Sequence, residues 1–202
     1  MSAEPTGGRP AGPPADDRVH ALLLWVAVRG FVDRHELELR WEAAAPLPRL
    51  VDAGLLQLDG QFVLVTPSGE SELSAALESL VGKDRVGLET FYTTFEELDR
   101  ELKALATEWQ ELRSRPEEDP DRAVDVAERL AELDLQLREA VALSSAAERL
   151  LGSHLPLLDS ARQAFEGGDR DSLTGVAEDS YHSAWYAMHE TLLRALGKQR
   201  AR

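Results

Sequence analysis

Leu50-Val51-Asp52-Ala53-Gly54-Leu55-Leu56-Gln57-Leu58-Asp59-Gly60-Gln61-Phe62-Val63-Leu64-Val65-Thr66-Pro67-Ser68-Gly69 is the most legible stretch of this chain. Residues 55–58 and 61–66 are rich in side chains that favour strands, and Asp59-Gly60 between them is a favoured two-residue hairpin turn. Gly54 stops the helix before the hairpin. Thr66-Pro67 opens the helix after it, where a proline loses no intrahelical hydrogen bond. The stretch reads helix, hairpin, helix.

Upstream, Ala45-Pro46-Leu47-Pro48 opens the short helix that runs to Ala53. Another helix starts at Asp33, with Glu36 at the third helical position as in a capping box and Val32 and Leu37 at the staple positions. Leu37, Trp41 and Ala44 share its inward face. Asp16 or Asp17 caps a first helix over 17–29 that is apolar nearly all round at 21–28 and so central, and Gly30 ends it. Downstream, Leu73, Leu77 and Leu80 form one stripe. Three helices, a hairpin and a fourth helix within residues 16–81 is the order of a winged helix-turn-helix. Residues 1–15, rich in Pro, Gly and Ala without apolar periodicity, read as a disordered tail.

Residues 82–202 read as a long-helix bundle that also serves dimerisation. Leu88, Phe91, Phe95, Leu98, Leu102, Leu105, Trp109 and Leu112 alternate spacings of three and four, a coiled-coil seam. Arg115-Pro116-Glu117-Glu118-Asp119-Pro120 breaks that helix. Val126, Leu130, Leu133, Leu137, Val141 and Ser144 continue the rhythm on an antiparallel partner. A third helix spans 156–165 and stops at Gly167-Gly168; a last one spans 180–196 and buries Tyr181, Trp185, Met188 and Leu192. The first seam offers more apolar surface than one neighbour need cover, which leads us to expect a homodimer. The fold class is mainly α.

The chain has no Cys, so neither disulfides nor a thiolate metal site is expected, and a cytoplasmic location is. No apolar run approaches a bilayer span and no leader is recognisable, so no membrane role is expected. With 22 Lys+Arg against 37 Asp+Glu the formal charge is −15, a field that repels phosphate backbones and favours a basic partner. No cofactor motif is present.

The run Leu50-Val51-Asp52-Ala53-Gly54-Leu55-Leu56, the hairpin, and Leu64-Val65-Thr66-Pro67-Ser68-Gly69 resemble the recognition helix and wing of MarR-like transcription regulators. The resemblance implies a regulator. Phe91-Tyr92-Thr93-Thr94-Phe95, Ala106-Thr107-Glu108-Trp109-Gln110 and the run from Asp179 through Glu190 resemble a helical extension in poorly characterised actinobacterial winged-helix proteins. That second likeness implies a partner subunit of a phosphoenolpyruvate-utilising, dikinase-like enzyme. The same pattern carries an acidic residue where this chain has Ala187.

A duplex reader needs base-reading donors at the start of the recognition helix and cations along the wing. Within 43–54 the lone cation is Arg49, offset by Asp52, and the wing has no Lys or Arg. Residues 16–81 carry five Arg (18, 29, 34, 40 and 49) and no Lys against eleven acids, net −6. Arg34, Arg40 and Arg49 are the candidate DNA contacts, and a dimer would double them; the charge nevertheless disfavours DNA. His182 and His189 lie seven apart on the last helix with Tyr186 between them and Glu178 and Glu190 near. They read either as a ligand or proton-handling pocket, or as imidazoles packed beside an aromatic core; the lack of a third ligand at metal spacing favours packing and argues against a metal. Trp109, Tyr181, His182, Trp185, Tyr186 and His189 are the ligand-pocket candidates, with core packing the competing role for the aromatics.

Three functions compete. One is a MarR-like regulator acting through dimerisation, protein contacts or weak DNA contacts and answering a small molecule. The second is the enzyme partner subunit. The third is an enzyme using the His182/His189 face, for which no phosphate loop, nucleophile elbow or paired-carboxylate motif speaks.

Overall fold

The computed structural model describes residues 15–40, 47–114, 120–175 and 180–199. It is mainly helical with one three-stranded antiparallel sheet, and it divides into two compact units, Met1–Leu73 and Ser74–Arg202. The expected tail up to residue 14, the inward Trp41 and Ala44, the helix opening at Ala45-Pro46 and the loop at 115–119 lie outside the described residues.

In the first unit α1 (Ala15–Arg29) buries Leu22, Leu23, Trp25, Val26 and Ala27. Asp16 and Asp17, expected as caps, lie instead within the helix. Gly30, at φ 78°, ends it. A two-residue strand, β1 (Val32–Asp33), follows, which sequence periodicity is too short to reveal. Asp33 caps α2 (Arg34–Arg40), its Oδ1 accepting from the backbone N–H of His35 at 2.8 Å and Glu36 at 3.4 Å. Val32 and Leu37, the staple pair, are both buried. Next, α3 (Leu47–Asp52) buries Leu47 and Leu50 and closes on Gly54 at φ 70°, with the Leu55 N–H donating to the Leu50 carbonyl at 2.9 Å.

The hairpin is β2 (Leu56–Asp59) and β3 (Phe62–Val65), with Leu56 opposite Val65, Leu58 opposite Val63 and Asp59 opposite Phe62. Its turn residues are Gly60-Gln61, one later than Asp59-Gly60. Gly60 takes φ 60° at the first central position, and the shift sets Leu58 against Val63 instead of Gln61. The sheet order β1-β3-β2 puts β3 in the middle, with Val32 opposite Val63 and Asp33 opposite Phe62. Alternation then divides the faces: Val32, Leu56 and Val63 are buried, while Phe62 points the other way between Asp33 and Asp59.

Thr66 joins the hairpin to α4 (Pro67–Val81). Its Oγ1 donates to the Gly54 carbonyl at 2.5 Å and accepts from the Gly69 N–H at 3.1 Å, capping the helix. Gly69 sits so close to the Leu55 carbonyl oxygen that a Cβ would overlap it. The buried stripe of α4 is Leu73, Leu77 and Val81, with Leu80 half-buried beside it.

In the second unit α5 (Arg85–Arg113) is 29 residues long and packs against α6 (Pro120–Ala142). Every seam residue of α5 from Leu88 to Trp109 is buried, and Leu112 is half-buried. A second row, Tyr92, Asp99 and Ala106, is buried as well. The apolar excess that suggested a dimer is thus covered inside the chain. Two helices absent from the sequence reading take part: α7 (Ser145–Leu151) packs on α5 and α6, and α9 (Asp171–Thr174) packs on α5. Ser144, expected as the last seam residue of α6, is the cap of α7 and accepts from the Ala147 N–H. Both α8 (Leu155–Glu166) and α10 (Tyr181–Leu196) match the sequence to within a residue, and α10 lies against α7, α8 and α9. Ser180 caps α10, and Gly197 at φ 64° ends it.

Candidate functional site

Two regions hold the sequence-selected residues. In the first unit, Arg34 is exposed and its Nε pairs with Glu38 at 2.8 Å, a contact within α2 itself. Arg49 is exposed on α3, three residues before the exposed Asp52. The Arg40 side chain lies outside those described. Arg29 stacks over the Trp25 ring at 4.1 Å. Across 47–66 Arg49 is the lone cation, and Asp52 and Asp59 oppose it. What the hairpin offers instead is apolar: Leu58 and Phe62 are exposed, and the exposed Phe31 meets Phe62 edge-on at 5.3 Å.

In the second unit the six pocket candidates do not converge on one cavity. Tyr181 and Trp185 are buried, and Trp185 stacks on Phe95 at 4.8 Å. Trp109 lies elsewhere on α5, edge-on to Phe165 at 4.9 Å, with its Nε1–H donating to the Arg170 carbonyl at 3.1 Å. His189 is buried, edge-on to Phe95 at 5.4 Å and near Tyr92 at 6.3 Å. His182 and Tyr186 are exposed. The two histidines therefore share a helix face in projection but not an environment: the one in the first turn stands in solvent, the other two turns on is in the core. A shallow groove of about 320 Å³ lies between α5 and α6, lined by Glu101, Ala104, Leu105, Arg129, Glu132, Leu133 and Gln136, none of them a predicted site residue. Among the described residues no cluster of three or more His, Asp or Glu has metal-binding geometry.

The polar chemistry that sequence reading missed is a pair of buried carboxylates facing α10. Asp99 accepts from Trp185 Nε1–H at 3.0 Å and from Lys103 Nζ at 2.6 Å. Asp134 accepts from the Tyr181 hydroxyl at 3.1 Å and from Arg138 Nε at 2.7 Å, and Arg138 also donates to Asp159 at 2.8 Å. Burial, then the adjacent Asp134 charge, pushes the Tyr181 phenol well above its ordinary value of 10.0. The hydrogen bond to Asp134 holds Arg138 above its own. Asp99 and Asp134 join α10 to α5 and α6 through charge-assisted hydrogen bonds, a structural task. One signal was available: Tyr92, Asp99 and Ala106 repeat every seven residues beside the seam.

At the end of the second unit Asp84 accepts from the Ala146 N–H at 3.2 Å and from Ser144 and Ser145 hydroxyls at 2.9 and 3.3 Å. These donors, the backbone N–H first, hold its carboxyl below the ordinary 3.8. Among the described residues no helix is long and apolar enough to cross a membrane. Comparison with protein-family models, curated proteins and solved structures finds no match to this chain.

Proposed function

We propose that the first unit is a winged helix-turn-helix of MarR-like type that works as a regulator through protein contacts, with DNA contact weak. The order α1-β1-α2-α3-β2-β3 with β3 between β1 and β2 supports the winged-helix reading. The observation that carries the function is the surface of α3 and the hairpin. The two elements that would grip a duplex expose one arginine against two aspartates, and the hairpin exposes Leu58 and Phe62. Neutralisation of phosphates supplies essentially all of the non-specific affinity of such modules, and it needs cations.

The experiment is a titration of the chain with its own upstream duplex and with an unrelated one at low and moderate salt. The expected result is weak, sequence-indifferent association that disappears at moderate salt. Tight, selective binding at moderate salt refutes the reading. A catalytic role for the His182/His189 face gains no support from the geometry, since one imidazole is in solvent and the other packs against Phe95.

A further inference from the structure

The outer face of the small sheet has an arrangement that neither core packing nor duplex binding uses. Antiparallel register places Asp33, Phe62 and Asp59 side by side across β1, β3 and β2. Residues directly opposite in a sheet project to the same side, with Cβ atoms about 5 Å apart. Phe62 therefore stands between two carboxylates, and its neighbour in sequence, Val63, is wholly buried on the other side. Phe31 meets Phe62 edge-on and is 60 % exposed, although aromatic side chains of this size are normally covered. Arg34, the first residue after this row, is paired with Glu38.

We propose that this face is a docking site for a basic segment of a partner protein, a Lys or Arg side chain seating on the Phe31–Phe62 pair between Asp33 and Asp59. Charge complementarity selects this occupant. An aromatic ring attracts a cation at its face, the Asp59 carboxylate supplies counter-charge on one side, and Asp33, whose Oδ1 also caps α2, supplies it on the other. The same row repels nucleic acid, and in a second copy it would bring four carboxylates together. The inference rests on the protein-contact reading above and names its partner chemistry.

The test uses the full chain and a short fluorescein-labelled peptide alternating arginine with leucine, read by fluorescence anisotropy. A glutamate–leucine peptide of equal length is the control. The arginine peptide binds and the glutamate peptide does not. Phe62→Leu, which keeps apolar bulk but removes the ring, weakens binding about ten-fold, and Asp59→Lys at the exposed end of β2 does at least as much. Val86→Ala and Leu143→Ala, at exposed apolar residues of the second unit, change nothing. Thermal melts accompany each variant; should Phe62→Leu fail to fold, Asp59→Lys decides alone. Undiminished binding by the folded variants overturns the proposal. So does sedimentation showing a wild-type dimer that Asp59→Lys dissolves, since the face would then serve a second copy. Loss of the peptide result with weak duplex binding removes this site alone, whereas tight duplex binding removes the functional reading beneath it.

Discussion

The Tyr181–Asp134 hydrogen bond offers a quantitative test of how α10 is held. Tyr181 is fully buried, and its hydroxyl donates over 3.1 Å to a carboxylate that is itself 4 % exposed. A hydrogen bond to a charged partner contributes about 1.5–3 kcal/mol net. In Tyr181→Phe the carboxylate keeps Arg138 Nε at 2.7 Å, so it is not stranded, and the lower end applies, about 1.5 kcal/mol. Asp134→Ala is worse. It leaves the phenol without its acceptor in the core and takes from Arg138 its shortest contact, while Arg138 retains Asp159 at 2.8 Å and some solvent; about 3 kcal/mol is expected. Because the first loss is contained in the second and Tyr181→Phe also removes the stranded hydroxyl, the double variant should be at least as stable as Asp134→Ala, a coupling of about 1.5 kcal/mol or more. Urea unfolding followed by near-UV circular dichroism reads this directly, since Tyr181 and Trp185 stack at 6.1 Å. The slope against urea should stay constant. A Tyr181→Phe variant within about 0.5 kcal/mol of wild type, or additive losses, would refute the argument.

Further outcomes follow from other contacts. Asp84 has a depressed carboxyl pKa in the folded chain, so its contribution is present above 3.8 and disappears as pH falls through the lower folded value. The stability gap between wild type and Asp84→Ala should accordingly close in acid, and a gap that persists at the lowest pH at which the fold survives counts against this. Tyr181 has the opposite sign: its raised pKa contributes stability that is intact below 10.0 and falls as pH climbs toward the folded value. Its phenolate absorbance should therefore emerge only with unfolding. Gly69→Ala puts a methyl on the Leu55 carbonyl oxygen and should destabilise the first unit by about 1–3 kcal/mol, measured by thermal melting. Trp109→Phe keeps the contact with Phe165 but leaves the Arg170 carbonyl only the longer contact from Arg113 Nη1 at 3.4 Å, a loss of about 1 kcal/mol in the same assay.

Local chemistry determined a good deal by itself. Gly54, Thr66-Pro67 and the strand-forming runs around Gly60 mark the hairpin, because positive φ and a missing N–H are demands on single residues. The three/four spacing from Leu88 to Trp109 places the core face of α5, and the net −6 over 16–81 is a sum that no fold alters. The tertiary structure decided the rest. A strand of two residues has no periodicity, so β1 exists only because β3 is there to pair with it. The apolar surface of α5 that α6 leaves over meets α7, α9 and Trp185 of α10, an arrangement spacing cannot specify because one seam pattern is compatible with either an internal or an external partner. Asp99 and Asp134 resemble surface carboxylates in the sequence; only the approach of Trp185 and Tyr181 supplies the donors that let them be buried. Spacing put His182 and His189 on one face, but burial is set by what packs against that face, and it differs from the first turn of α10 to the third.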